Sequence, residues 1–119
     1  MEKIIQNFLT ILNQLKIYHW TTDSYAQHKA FGKAYDDLED LVDAFVEILL
    51  SKAGKDIPSM NIRLFSKEDM DFASAINDIV SFLSDEIPSL LGEADSDLLN
   101  IKDEMLSVVN RTKYLLTLN

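Results

Sequence analysis

The chain has 119 residues, 47% of them hydrophobic, which suits one domain, residues 1–119, with a core of useful size. Eleven Lys and Arg against twenty Asp and Glu give a formal charge of -9. Such a surface repels nucleic-acid phosphate and anionic lipid, so neither direct nucleic-acid binding nor membrane association is expected. The absence of cysteine excludes disulfides, thiolate metal sites and a cysteine nucleophile, and only 3 Gly and 2 Pro leave little punctuation for a many-stranded fold.

The N-terminal residues lead straight into an amphipathic pattern with no basic region or long apolar run. A cytoplasmic protein is expected. No apolar stretch approaches the roughly 20 residues that span a bilayer. From Glu2 to about Thr22, Ile4, Ile5, Phe8, Leu9, Leu12 and Leu15 recur at helical spacing and predict a first helix.

Capping residues Thr21 to Ser24 then precede a longer stripe from Tyr25 to about Ala53, carried by Phe31, Ala34, Leu38, Leu41, Val42, Phe45 and Leu49. Gly54 and Asp56-Ile57-Pro58-Ser59 stop this second helix. The connection that follows, to about Phe65, is too long for a tight turn and fits a crossover between distant ends of a bundle. Ser66, with Asp69 three residues on, reads as the N-cap of a third helix through Met70, Ala73, Ile76, Ile79, Val80 and Leu83. Pro88 and Gly92 interrupt or end it, and Glu93-Ala94-Asp95-Ser96 opens a last helix that runs to the C-terminus through Leu98, Ile101, Met105, Val109 and Tyr114.

Both histidines lie near the first two helices, and an acidic run of Asp36, Asp37, Glu39, Asp40, Asp43 and Glu47 follows them. Imidazole with carboxylate suits iron, zinc or manganese. At about 100° per residue His28, Gly32, Tyr35, Glu39 and Asp43 share one strip beside the apolar stripe, with Glu47 at its margin. Fifteen residues of helix, about 22 Å, separate His28 from Asp43, so one chain cannot bring both to a single ion. Two copies of the second helix crossing antiparallel near Tyr35 and Asp36 would set His28, joined by His19, opposite Asp43 and Glu47 of the other copy. Ile17 and Trp20, projecting off the first helix's stripe, would be covered by such an interface. The alternative is structural: His19 in the core stripe, Trp20 filling a groove and the acids forming a solvated face.

Tyr18-His19-Trp20, His28, Asp43 and Glu47 resemble the ferroxidase signature of the Dps family, ferritin-like miniature iron-storage proteins with members in phage genomes. Ala53-Gly54-Lys55 with Pro58, and the run from Gly92 to Leu99, resemble that family's turns after the second helix and into the last. The resemblance implies an all-α, ferritin-like four-helix bundle with a crossover between helices two and three. It implies a homo-oligomer, a dimer or a dodecamer, that oxidises ferrous iron with peroxide at sites between subunits and stores the ferric product. His19 and His28 would come from one chain, Asp43 and Glu47 from its mate. Two departures stand out: the interval from His19 to His28 is about three residues short of the family's, and Gly32 stands where an aspartate is expected one turn after His28. They point to a stronger metal position at His19, Asp43 and Glu47 and a weaker one at His28, which an aspartate at position 32 would restore. They equally suit a non-catalytic Dps-like oligomer that serves as a binding or structural protein.

Overall fold

The computed structural model describes residues 1–118. The first two apolar stripes close into helices at the expected boundaries, α1 (Glu2–Thr21) and α2 (Tyr25–Ala53), and Ser24 caps α2 by accepting the Gln27 N–H. Gly54 ends α2 at φ 96°, a left-handed conformation that a side chain would disfavour. At 29 residues α2 is about 43 Å long, and it spans the full 42 Å of the molecule.

The third helix begins later than the capping pattern predicts. Ser66 accepts the Asp69 N–H but caps only a single turn, and the chain is extended again at Asp71. There the Tyr18 hydroxyl donates to the Met70 carbonyl, and the Asp71 carboxylate takes the Ser74 N–H at 2.7 Å, so α3 runs Phe72–Ser81. The same hydrogen bonds from Ser74 hold the Asp71 carboxyl below its ordinary value.

Pro88 does not end this element. A π-helical turn, Phe82–Glu86, carries α3 into α4 (Ile87–Leu90), with the Ile87 N–H reaching back five residues to the Phe82 carbonyl. The wider turn just before Pro88 eases the clash its ring would make with the carbonyl four residues earlier. A 3₁₀ turn, Glu93–Asp95, leads into α5 (Ser96–Leu115). Expected to reach the C-terminus, α5 closes at Leu115, and Asn119 lies outside the described residues.

The fold is all-helical: four helical rods, the third made of α3, the π turn and α4, with no strand among the described residues. Helix α1 packs on α2, α2 on α5 and α3 on α5. Phe8 meets Phe45 and Phe82 edge-on at 5.0 and 5.7 Å, while at the other end Tyr18 packs against Phe31 and Phe72 at 5.5 and 4.7 Å. These pairs fix the directions: α2 and the α3–α4 rod both run opposite to α1. Leu9, placed in the stripe by its spacing, is 40% exposed, and Tyr114 on α5 is exposed as well. Lys52 ties the C-terminal end of α2 to the start of α5 through Asp95 at 3.2 Å and Asp97 at 2.7 Å. The Gly92 N–H first and Lys52 second hold the Asp95 carboxyl below its ordinary value, and Lys52 does the same for Asp97.

Residues 54–71 climb along α1, held by its side chains. Gln6 donates to the Asn61 carbonyl, Gln14 both donates to the Phe65 carbonyl and accepts its N–H, and Tyr18 donates to Met70. Burial pushes the Tyr18 phenol up to about 12, with Asp71 and Asp78 adding to the effect. Its folded-state pKa therefore lies above the ordinary 10.0. The stability it confers is complete below that ordinary value and is lost as pH rises toward 12. Urea titrations of wild type and Tyr18→Phe should accordingly converge on going from pH 9 to about 12. A stability difference that stays constant over that range would refute the role of this hydroxyl.

Candidate functional site

The three-residue corner between α1 and α2 brings His19 and His28 face to face. Their rings stack with centroids 3.9 Å apart and planes 15° from parallel. Each ring uses Nδ1 on the other's backbone: His19 Nδ1 lies 2.7 Å from the His28 carbonyl oxygen, and His28 Nδ1 lies 2.8 Å from that of His19. A carbonyl oxygen only accepts, so each Nδ1 carries the hydrogen and each neutral ring keeps its lone pair at Nε2. The bond to the His19 carbonyl also satisfies one of the acceptors left open in the last turn of α1.

Two constraints on metal binding follow. An imidazole lone pair lies in its ring plane, and two nearly parallel planes do not converge on one ion, so the two rings could not share a single cation. No group of three His, Asp or Glu side chains able to hold a metal occurs among the described residues. Asp43 and Glu47 lie one turn apart, both exposed, toward the far end of α2. Neither makes an ion pair among the described residues, whereas Asp37 on the same helix pairs with Lys33 at 3.0 Å.

Gly32 has a role that the missing-aspartate reading overlooks. A Cβ at this position would stand 2.9 Å from His19 Cε1 and 3.1 Å from Nδ1, so the ring rests directly on the α2 backbone. An aspartate there would have to push the His19 ring aside before its carboxylate could stand near His28. Between this pair and the acidic strip, Lys16 sits 4.0 Å from the centroid of the Tyr35 ring. Trp20 is 67% exposed, as the interface reading requires, but Ile17 is already partly covered within the chain. Tyr25, 74% exposed, extends the aromatic surface and stacks loosely on His28 at 6.1 Å.

Spacing alone did not single out Gln14 or the pairing of Lys16 with Tyr35. Gln14 did carry a signal through Tyr18, four residues on and therefore on the same face of α1.

Residues 19–116 match a family described as a family of unknown function, DUF5856. The chain belongs to the DUF5856 family. The matched region begins at His19 and includes His28, Gly32, Asp43 and Glu47. The chain is also similar to an uncharacterized 14.6 kDa protein in the mobD-ri intergenic region of Enterobacteria phage T4, 31% identical over 100 residues that cover 84% of this chain and 74% of that protein. No solved structure matches it. No helix among the described residues of this family member is long and apolar enough to cross a membrane.

Proposed function

We propose that this DUF5856 protein is a Dps-like homo-oligomer that binds ferrous iron between two-fold-related subunits and oxidises it. The observation that carries the reading is the histidine pair, whose reciprocal carbonyl bonds leave two preset Nε2 donors at one end of the α1–α2 face. Support for a ferritin-like crossover comes from residues 54–71, whose hydrogen bonds ascend α1 so that α2 and the α3–α4 rod run in the same direction. Asp43 and Glu47 supply the oxygen ligands from the partner subunit, completing with His19 the stronger position. His28 faces a weaker position that lacks an oxygen donor at residue 32. Zinc and manganese suit the same donors.

Gly32 favours a second reading beside it. The histidines also clasp the α1–α2 corner, a structural task that needs no metal, and a non-catalytic oligomer would keep the clasp for that reason alone.

Anaerobic calorimetry with ferrous iron separates the two readings. Asp43→Asn with Glu47→Gln retains side-chain size but removes both negative charges. Ferrous affinity should then fall by more than the roughly 10- to 100-fold typical of losing an outer-shell partner, with helicity unchanged. Wild-type protein that takes up no ferrous iron, or a double variant that binds it as tightly, sinks the iron reading. A protein that stays monomeric by light scattering at micromolar concentration and above removes the shared site altogether.

A further inference from the structure

A recess of about 220 Å³ opens between α1, residues 63–70 and α3. Its walls are Ile11, Phe65, Met70, Ala75, Ile79 and Phe82. That volume exceeds the roughly 150 Å³ of an apolar cavity that takes up benzene. The wall is held in place by the Gln14 amide, which engages both backbone groups of Phe65 at 2.9 and 2.8 Å, and by the Tyr18 hydroxyl on Met70. The amide and the hydroxyl are thus occupied with the chain itself, and what the recess offers an incoming molecule is mostly hydrocarbon and aromatic surface.

The mouth is charged. Asp78 lines the recess and also an adjoining surface depression that includes Asp85 and Glu86. Glu86 is paired with Lys3, whereas Asp78 and Asp85 make no ion pair among the described residues. Arg63, on the opposite wall, lies over the Phe65 ring at 4.6 Å. With Arg63 engaged over Phe65, exposed Asp78 at the recess and Asp85 in the adjoining depression leave the α3 side of the opening negative, which complements an amphiphilic cation.

We infer that this recess is a binding site for a small organic cation with an apolar body, such as an arylalkyl or alkyl ammonium. Its hydrocarbon part lies against Ile11, Ile79 and Phe82, and its ammonium group faces Asp78 and Asp85. The site is independent of the metal reading, since it shares no residue with the histidine pair or with Asp43 and Glu47.

Amide-resolved NMR titration with 2-phenylethylammonium, phenylacetate and toluene tests the inference. The ammonium compound should give saturable shifts confined to residues 7–14, Phe65 and residues 75–82. It should bind about five-fold tighter than phenylacetate at low salt, the factor expected of roughly 1 kcal/mol from exposed charge pairing. Asp78→Asn should erase most of that preference and leave toluene binding unchanged. Ala75→Leu, or Ile11→Phe if the first variant loses its helical spectrum, should fill the recess and abolish saturable binding of both. Shifts scattered over the acidic surface without saturation would overturn the site. Phenylacetate binding as tightly as the ammonium, or unchanged binding in a folded, filled variant, would do so equally.

Discussion

Gln14→Ala should destabilise the protein by about 2–4 kcal/mol, more than its modest side-chain volume suggests. Only 5% of Gln14 is exposed, and its amide satisfies both the N–H and the carbonyl of Phe65 across the gap between α1 and the connection. Truncation leaves two backbone groups in partly buried surroundings without partners, and each such group costs about 1–3 kcal/mol. The connection has no internal ladder to compensate, because residues 54–65 form no regular secondary structure. Gln14→Glu sharpens the test. A carboxylate can still accept the Phe65 N–H but sets a buried negative charge against the Phe65 carbonyl oxygen, so at neutral pH this variant should be at least as destabilised as Ala and should recover as the carboxyl is protonated. Urea denaturation measures the stabilities, and hydrogen exchange at the Phe65 amide locates the effect. An alanine variant within about 0.5 kcal/mol of wild type, the range of an ordinary surface change, would show that the connection does not depend on this clamp.

Gly32→Ala should destabilise by about 1–2 kcal/mol, and its sign is the informative part. Helix propensity by itself predicts a gain of up to about 1 kcal/mol when alanine replaces glycine inside a helix. Here the added Cβ would stand 2.9 Å from His19 Cε1, and the ring is not free to drift, because His28 holds it by stacking and by the Nδ1 bond. Moving it breaks that bond and the stack together, and overpacking of this kind typically costs about 1–3 kcal/mol. Gly32→Asp adds a larger group and should displace the ring further. Thermal or urea unfolding gives the sign, and the side-chain nitrogen resonances of His19 and His28 report whether the pair has separated. A more stable alanine variant with both rings unshifted would refute the seat that Gly32 provides.

The two parts of the proposed metal site were legible in the sequence to different degrees. Helical periodicity was enough to put His28 and Asp43 on one strip, and the 1.5 Å rise per residue kept them apart within one chain. That the two histidines would meet depended on the corner at residues 22–24. Once a short turn reverses the chain, the last turn of α1 and the first turn of α2 face each other. Their reciprocal bonding and the fit of His19 on Gly32 are properties of that packing, invisible to any count along a single helix. That position 32 is a point of close backbone contact with the His19 ring was likewise beyond the sequence.

Residue pattern by itself determined the all-helical class, both boundaries of α1 and α2, and the interruption after Ala53, because these depend on local caps and on a periodicity that one face of a helix must satisfy. Tertiary structure alone decided where α3 begins, since Ser66 and Asp71 are both competent caps and the choice followed from Tyr18 capturing the Met70 carbonyl some fifty residues away in sequence. It also decided that Pro88 lies inside a continuous rod. Buried Phe82, Leu83 and Ile87 keep that segment against the core, and the chain absorbs the proline through a π turn because breaking the helix would expose them. Long-range burial outweighed local preference at both places, for the energy of covering a large apolar face exceeds the difference between two caps or two helical geometries.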